Sequence, residues 1–397
     1  MERSTVALVR CETYDPQQVY AALRRGVEFL GGLDRFVRPG ERILLKPNIL
    51  AGEGPERAVT THPAVLEASV RLFRSAGATV SFGDSPGLED ALHAAKRSGL
   101  YEAGLRAGAT YGQFSTGTRM ANPGGILVDG FPIAEAVHAC DGIVNLPKMK
   151  AHQLTRITGA MKNLFGCVPG KRKALYHVQF QDVFAFSRLI AELGTCLRPR
   201  LHVLDGIVAM EGNGPRSGDA RLMRVLVLSD DPVAVDATFC RLVAMEPTYV
   251  PTIRAGHEIG LGRFDAAEIA YVGEDIEPLI DPGFKLVRKP VYANASYAHY
   301  RWLKNVLLPK PAIDGSRCVR CGMCVEACPV PGKALRFENG HRAPPVYDDA
   351  HCIRCYCCQE MCPHQAIETQ TPFLGRVLRV ACSAFDKGSM PFYNQKS

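Results

Sequence analysis

Between residues 318 and 362 the chain uses one cysteine spacing twice. Cys318, Cys321, Cys324 and Cys328 precede Pro329, and Cys352, Cys355, Cys358 and Cys362 precede Pro363, so C-x2-C-x2-C-x3-C-P is duplicated. Nine of the chain's 15 cysteines lie in this stretch, eight of them in the two runs. That clustering suits metal ligation better than disulfides, because two-residue gaps let a tight loop present three thiolates to one inorganic face. The following proline helps to fix the exit of each loop. The likeness extends past the sulfurs: CVRCGMCVEACP aligns with CIRCYCCQEMCP, and each copy runs into a strand-like stretch, KALRF or QAIET. Asn339-Gly340 supplies a hairpin turn between the halves. Zinc explains paired C-x2-C units, but not a third and fourth cysteine with proline in each copy. Cys357 is an extra thiol, read as a bystander.

Over about residues 311 to 370 this region resembles the two-cluster bacterial ferredoxins. The resemblance implies a small α+β domain holding two 4Fe-4S clusters, with the fourth cysteine of each run serving the other cluster. One ligand set is then Cys318, Cys321, Cys324 and Cys362, and the second is Cys352, Cys355, Cys358 and Cys328.

The chain as a whole has an ordinary globular composition, 47% hydrophobic and 22% charged, which excludes disordered and fibrous classes. A net charge of +7 without a block of like charges gives no reason to expect a nucleic-acid partner. The start, MERSTVALVRCETYD, lacks the apolar core of a secretory signal, and no uninterrupted run of 18 apolar residues comes after it. The expectation is a cytoplasmic protein with no transmembrane segment.

Residues 1 to about 275 alternate short aliphatic runs with helical patterns: VALVR, a helix from Val19 to Phe29, RILLK, a helix from Pro63 to Ser75, then TVSFGD. The fold class is α/β, a mostly parallel sheet with covering helices. Ligands of such sheets bind beyond the carboxyl ends of the strands, so the residues just past each strand matter most. Five strand ends carry polar groups: Lys46-Pro47-Asn48, Gly83-Asp84-Ser85, Pro147 to His152, Asp205-Gly206, and Asp230-Asp231. Asp84, Asp230 and Asp231 are ordinary turn formers and are discounted; Lys46 and Lys148 are not.

The densest polar segment is NLPKMKAHQLTRITGAMKNLFG, residues 145 to 166. From Gln153 on, Leu154, Ile157, Met161, Leu164 and Phe165 recur at helical spacing, predicting a helix whose second face holds Thr155, Thr158, Gly159 and Lys162. Gly159 there suggests something close to the backbone. With Lys148, Lys150 and His152 at its entry, and Lys171, Arg172 and Lys173 beyond Gly166, the segment predicts an anion pocket. The loop EGNGPRSG, residues 211 to 218, matches neither G-x-G-x-x-G nor a P-loop; it is read as a phosphate or carboxylate loop, with Glu211 a candidate acid or base. Cys11, Cys140, Cys167, Cys196 and Cys240 read as small hydrophobes, Cys167 being near enough to the basic segment to react.

The set KPNIL, GDSPG, NLPKMKAHQLTRITGAMKNLFG, DGIVAMEGNGPRSG and SDDPVAVD resembles the domain-of-unknown-function family numbered 362, over about residues 5 to 275. The resemblance implies a recurrent set of loops in an iron-sulfur redox setting, and no settled activity. The expected organisation is an α/β substrate-binding domain at 1–275, a linker at 276–312 that includes YAHYRWLKNVLL and Trp302, a two-cluster module at 313–370 and a tail at 371–397. The expected function is a reductase passing electrons from an external carrier, such as a ferredoxin or flavodoxin, to a small anionic substrate. Lys148, His152 and Lys162 are its candidate catalytic groups, and Lys46, Asn48, Lys150, Asn163 and Glu211 bind substrate. Two rivals stand beside it: an electron-transfer or binding protein without its own chemistry, and a non-redox enzyme with structural clusters. The sequence specifies neither a flavin nor a further metal.

Overall fold

A computed structural model describes residues 3–170, 172–291 and 308–373. Lys171, residues 292–307 of the linker including Trp302, and the tail beyond residue 373 lie outside the described residues.

Ten strands form one mixed, mostly parallel sheet. They are β1 (Ser4–Arg10), β2 (Arg42–Pro47), β3 (Thr79–Phe82) and β4 (Thr110–Tyr111), then, after a small hairpin of β5 (Gly117–Ala121) and β6 (Gly130–Ala134), β7 (Gly142–Leu146), β8 (Lys148–His152), β9 (Arg156–Thr158), β10 (Leu201–Glu211), β11 (Asp219–Ser229) and β12 (Ile269–Gly273). The order is β12-β1-β11-β10-β7-β2-β3-β4, with β8 on β10 and β9 on β8. β1 pairs parallel with β12, β7 with β2, β2 with β3 and β3 with β4; β11 runs antiparallel to both its neighbours.

Helices cover both faces, so the strands read as near-continuous apolar runs. Successive residues of β1 alternate between two cores, Val6 and Leu8 in one, Ala7 and Val9 in the other. The helices Pro16–Phe29 and Pro63–Ser75 form where expected, the first capped by Asp15, which accepts from the N–H groups of Gln17 and Gln18, and the second opened by Pro63. No helix among the described residues is long and apolar enough to cross a membrane.

The small module is built from two hairpin-like pairs, β13 (Lys310–Ile313) with β16 (Ile367–Gln370), and β14 (Leu335–Arg336) with β15 (Val346–Tyr347). The strand-like stretches KALRF and QAIET thus supply β14 and β16. Gly340 takes the left-handed φ of 61° within the longer β14–β15 connection.

The predicted helix from Gln153 does not form. Lys148 to His152 instead pair with β10, and the chain returns as β9 before a single turn at Ala160–Asn163. Side chains explain the choice: His152 Nδ1 accepts from the N–H groups of Leu154 and Thr155, and Thr155 Oγ1 donates to the Ile157 carbonyl. Such local bonds offer the backbone an alternative to a helix. Gly159 has a tertiary cause as well, since a Cβ there would lie 2.1 Å from Asp236 Oδ1. Asp236 accepts from the N–H groups of Ala160 and Met161, so the group that approaches the glycine is a capping carboxylate of the protein.

Candidate active site

The carboxyl ends of β2 and β3, the β8–β9 hairpin and the helix Arg172–Gln179 surround a pocket of about 820 Å³, and the small module closes it. Lys46, Asn48, Lys150, His152, Lys162 and Asn163 all line it, as do Asp84, Ser85, Lys173 and His177. From the module come Ala327, Cys357, Glu360 and Met361.

The polar groups are mutually constrained. Lys46, fully buried, lies 2.7 Å from Asp84 Oδ1 and also donates to Asn163 Oδ1 and the Pro47 carbonyl. Asp84 Oδ2 accepts from the Ile49 N–H, so this discounted turn residue is half of a buried ion pair. Asn163 passes its amide hydrogens to the Lys46 carbonyl and to Asn145 Oδ1. Lys150 Nζ donates to Asn48 Oδ1 and the Val59 carbonyl; burial, with Lys162 and Lys148 near, holds it well below the ordinary lysine range. Lys173 Nζ donates to Ser85 Oγ and the Val168 carbonyl, and burial lowers it to about 7. Lys162 makes no hydrogen bond or ion pair among the described residues.

His152 has a defined tautomer. Its Nδ1 accepts two backbone N–H groups, so the neutral ring carries its proton on Nε2, which lies 3.0 Å from Glu360 Oε1 of the small module. Burial and Lys162 push the ring down to about 4. His177 is likewise lowered to about 4 by burial and stacks on Phe186 at 4.4 Å.

Other candidates stand elsewhere. Lys148 is buried in a network with Asp205 and the Tyr14 hydroxyl, at 2.8 and 2.7 Å, and does not line the pocket. Burial lowers it, against the pull of Asp205. Glu211 accepts from the Lys285 N–H at 2.8 Å at the far end of β10. Asp231 caps the helix Pro232–Leu242. Cys167 is fully buried and its thiol is pushed up to about 12, which removes it as a nucleophile.

The loop EGNGPRSG grips protein. Arg216 Nη1 donates to the Met361 carbonyl at 2.8 Å, Ser217 Oγ to the Cys362 carbonyl at 3.0 Å, and Gln359 Nε2 to Asn213 Oδ1 at 2.8 Å. Arg216 is held in turn by Glu53 at 2.6 Å. Gly214 is needed because a Cβ there would meet the Ala151 carbonyl oxygen at 2.1 Å.

Cys318, Cys321, Cys324 and Cys362 line one cavity, and Cys328, Cys352, Cys355 and Cys358 line another. Each set draws its last member from the other run, and all eight are free thiols. Four thiols around one cavity are a donor set that fits a 4Fe-4S cubane. The N–H groups of Ala334 and Arg354 point at Cys328 and Cys352 Sγ, both at 3.3 Å, the kind of contact that tunes cluster potential. Cys357 lines the large pocket and neither cysteine cavity.

An α/β domain with a cationic pocket, closed by a module with two four-cysteine cavities, defines an iron-sulfur protein. The chain belongs to the family described as domain of unknown function (DUF362), whose model matches residues 43–241, and residues 309–366 match the 4Fe-4S dicluster domain. A relative is the thylakoid-associated protein sll1697 of Synechocystis sp., 34% identical over 283 residues, 71% of this chain and 87% of that protein. Among solved structures, the lactate racemase apoprotein of Thermoanaerobacterium thermosaccharolyticum overlaps with a TM-score of 0.35 at 11% identity, over 58% of this chain and 55% of that one. A Thermotoga maritima protein overlaps with a TM-score of 0.34 at 10% identity, over 63% and 60%. The chain thus spans little more than half of either solved chain.

Proposed function

We propose that this chain is an iron-sulfur oxidoreductase that takes single electrons from an external carrier, such as a ferredoxin or flavodoxin, and passes them through two 4Fe-4S clusters to a small anionic substrate in the pocket. One observation carries the reading: the wall facing the lysines is made by Ala327, Cys357 and Met361, each next in the chain to a cluster cysteine, namely Cys328, Cys358 and Cys362. In this reading residues 1–275 bind substrate, 276–312 link, 313–370 hold the clusters and 371–397 form a tail. Cytoplasmic residence belongs to the same reading, since reduced thiolates suit a reducing compartment.

Bound clusters supply electrons one at a time; the protein's groups do the rest. The pocket is rich in unused donors. Lys162 offers its N–H groups unused, and Lys173 keeps one after its two bonds when it is charged. Ser85 Oγ already accepts from Lys173 and from the Gly170 N–H, which leaves its hydroxyl hydrogen to donate. Such a site binds an anion and stabilises the negative charge that builds as electrons arrive. His152 is unsuited to take a proton, because Nδ1 is engaged by two backbone N–H groups and burial with Lys162 lowers the ring to about 4. Lys162 and Lys173 are the proton donors in this reading, and Lys173, at about 7, is poised near neutral pH.

Anaerobically loaded protein, reduced and mixed with a panel of small carboxylates, phosphates and inorganic oxyanions, tests the reading by the rate at which its colour returns. One class of anion is expected to reoxidise the protein, and Lys162→Ala to slow that reoxidation at least about tenfold. Clusters indifferent to every anion, yet exchanging electrons with a carrier protein, reduce the chain to a carrier.

A further inference from the structure

The two cysteine runs are copies in sequence, and one matched pair of residues has gone in opposite directions. Arg320 in CVRC and Arg354 in CIRC occupy the same position and share the same left-handed φ, 62° and 60°. Arg354 is 1% exposed, lies 3.1 Å from Asp349 Oδ1 and sits over the Tyr347 ring. Arg320 is exposed and donates from Nη1 to the Arg342 carbonyl at 3.2 Å; among the described residues neither it nor the exposed Arg342 has a carboxylate within ion-pair distance. Around Arg320 the first cavity opens outward: Cys321 is exposed and Val319 is 54% exposed. Val319, Arg320 and His364 line that cavity, and no Asp or Glu does. Three of the four cysteines of the second cavity are buried instead.

We propose that this rim, centred on Arg320, Arg342 and Val319, is the docking face for a small acidic electron-transfer protein, and that electrons enter at the set Cys318, Cys321, Cys324 and Cys362. In each encounter the carrier is oxidised by one electron and this protein reduced by one; no bond is made or broken. Unpaired arginines around an exposed apolar side chain suit a small, electrostatically steered, short-lived contact. Two arginines and a valine fall short of the four to eight basic residues by which protein segments hold anionic membranes. The proposal rests on the iron-sulfur reading of the cysteines and is independent of the anion pocket, so a protein that reduces no anion leaves it standing.

The test titrates the oxidised, cluster-loaded protein with a flavodoxin and follows flavin fluorescence at low and rising ionic strength. Binding is expected to weaken as salt rises, and Arg320→Glu with Arg342→Glu to weaken it at least about tenfold at low salt, with iron content and reduction by dithionite unchanged. If the double variant loads less iron, Arg342→Glu alone, outside the cysteine runs, carries the test with an expected loss of several-fold. Binding that ignores salt or either variant, no binding to flavodoxin or to an acidic plant-type ferredoxin, or binding only to phosphatidylglycerol vesicles overturns the proposal.

Discussion

The two cysteine sets have the same spacing, the same following proline and an arginine at the same position, yet one opens to solvent and the other is covered. Three of the four thiols of the covered set are buried, and Cys357 and Glu360, which flank its Cys358, face the lysine pocket of the α/β domain. The open set has an exposed thiol at Cys321 and no acidic side chain lining its cavity. Ligand identity cannot separate the two roles; what packs on each set can. The covering contacts come from Asn213, whose Oδ1 accepts from Gln359 beside Cys358, and from His152, 3.0 Å from Glu360; Arg216 and Ser217 hold the carbonyls of Met361 and of Cys362, the last member of the open set.

The contrast can be broken most severely from the covered side. Lys46→Ala strands Asp84 without its buried partner and is expected to cost about 3–5 kcal/mol, read by urea unfolding; adding Asp84→Asn should recover part of it. Arg216→Ala removes the grip on the Met361 carbonyl and leaves Glu53 unpaired, for about 2–4 kcal/mol. Because Met361 precedes Cys362 of the open set, a chelator should strip iron faster from that set in the variant, while the covered set, whose neighbour Gln359 is held by Asn213, keeps its rate; equal acceleration of both would mean that the packing does not distinguish them.

A pH series sharpens the comparison with a smaller effect. Lys173 is lowered to about 7, so it is charged below that value and neutral above, and anion affinity should fall by up to about tenfold as pH rises from 6 to 8. Lys173→Met should flatten the profile. For stability the sign is opposite: between about 7 and the ordinary lysine value the unfolded chain binds the extra proton, so Lys173 contributes increasing stability as pH rises. The smallest effect belongs to the open side, where Arg317→Ala removes exposed pairs with Asp314 and Glu368 and should leave the urea unfolding midpoint nearly unchanged.

Much of this was legible in the sequence for identifiable reasons. Buried parallel strands read as aliphatic runs, and lysines are poor turn formers, so Lys46 and Lys148 stood out at strand ends, of which Lys46 lines the pocket and Lys148 does not. The cysteine spacing carried its own ligand chemistry. Most of the failures share a cause as well, a partner far along the chain. Periodicity after Gln153 could not register pairing with β10 or the cap from Asp236. Asp84 sat in a Gly/Pro loop and looked like a turn; its partner is 38 positions earlier. Glu360, between two cysteines, was hidden by the metal motif. The glycines of residues 211 to 218 permit close approach, but the approaching group is the chain itself.

The central claim is that an anion in the lysine pocket shares a wall with the covered cysteine set. Electron paramagnetic resonance of the reduced, loaded protein, recorded with and without each anion of the panel, tests it most directly. The account predicts that one class of anion perturbs the signal of one cluster, that Lys162→Ala abolishes the perturbation, and that Arg320→Glu preserves it. Signals unmoved by every anion, or a perturbation that survives Lys162→Ala and disappears with Arg320→Glu, would contradict it.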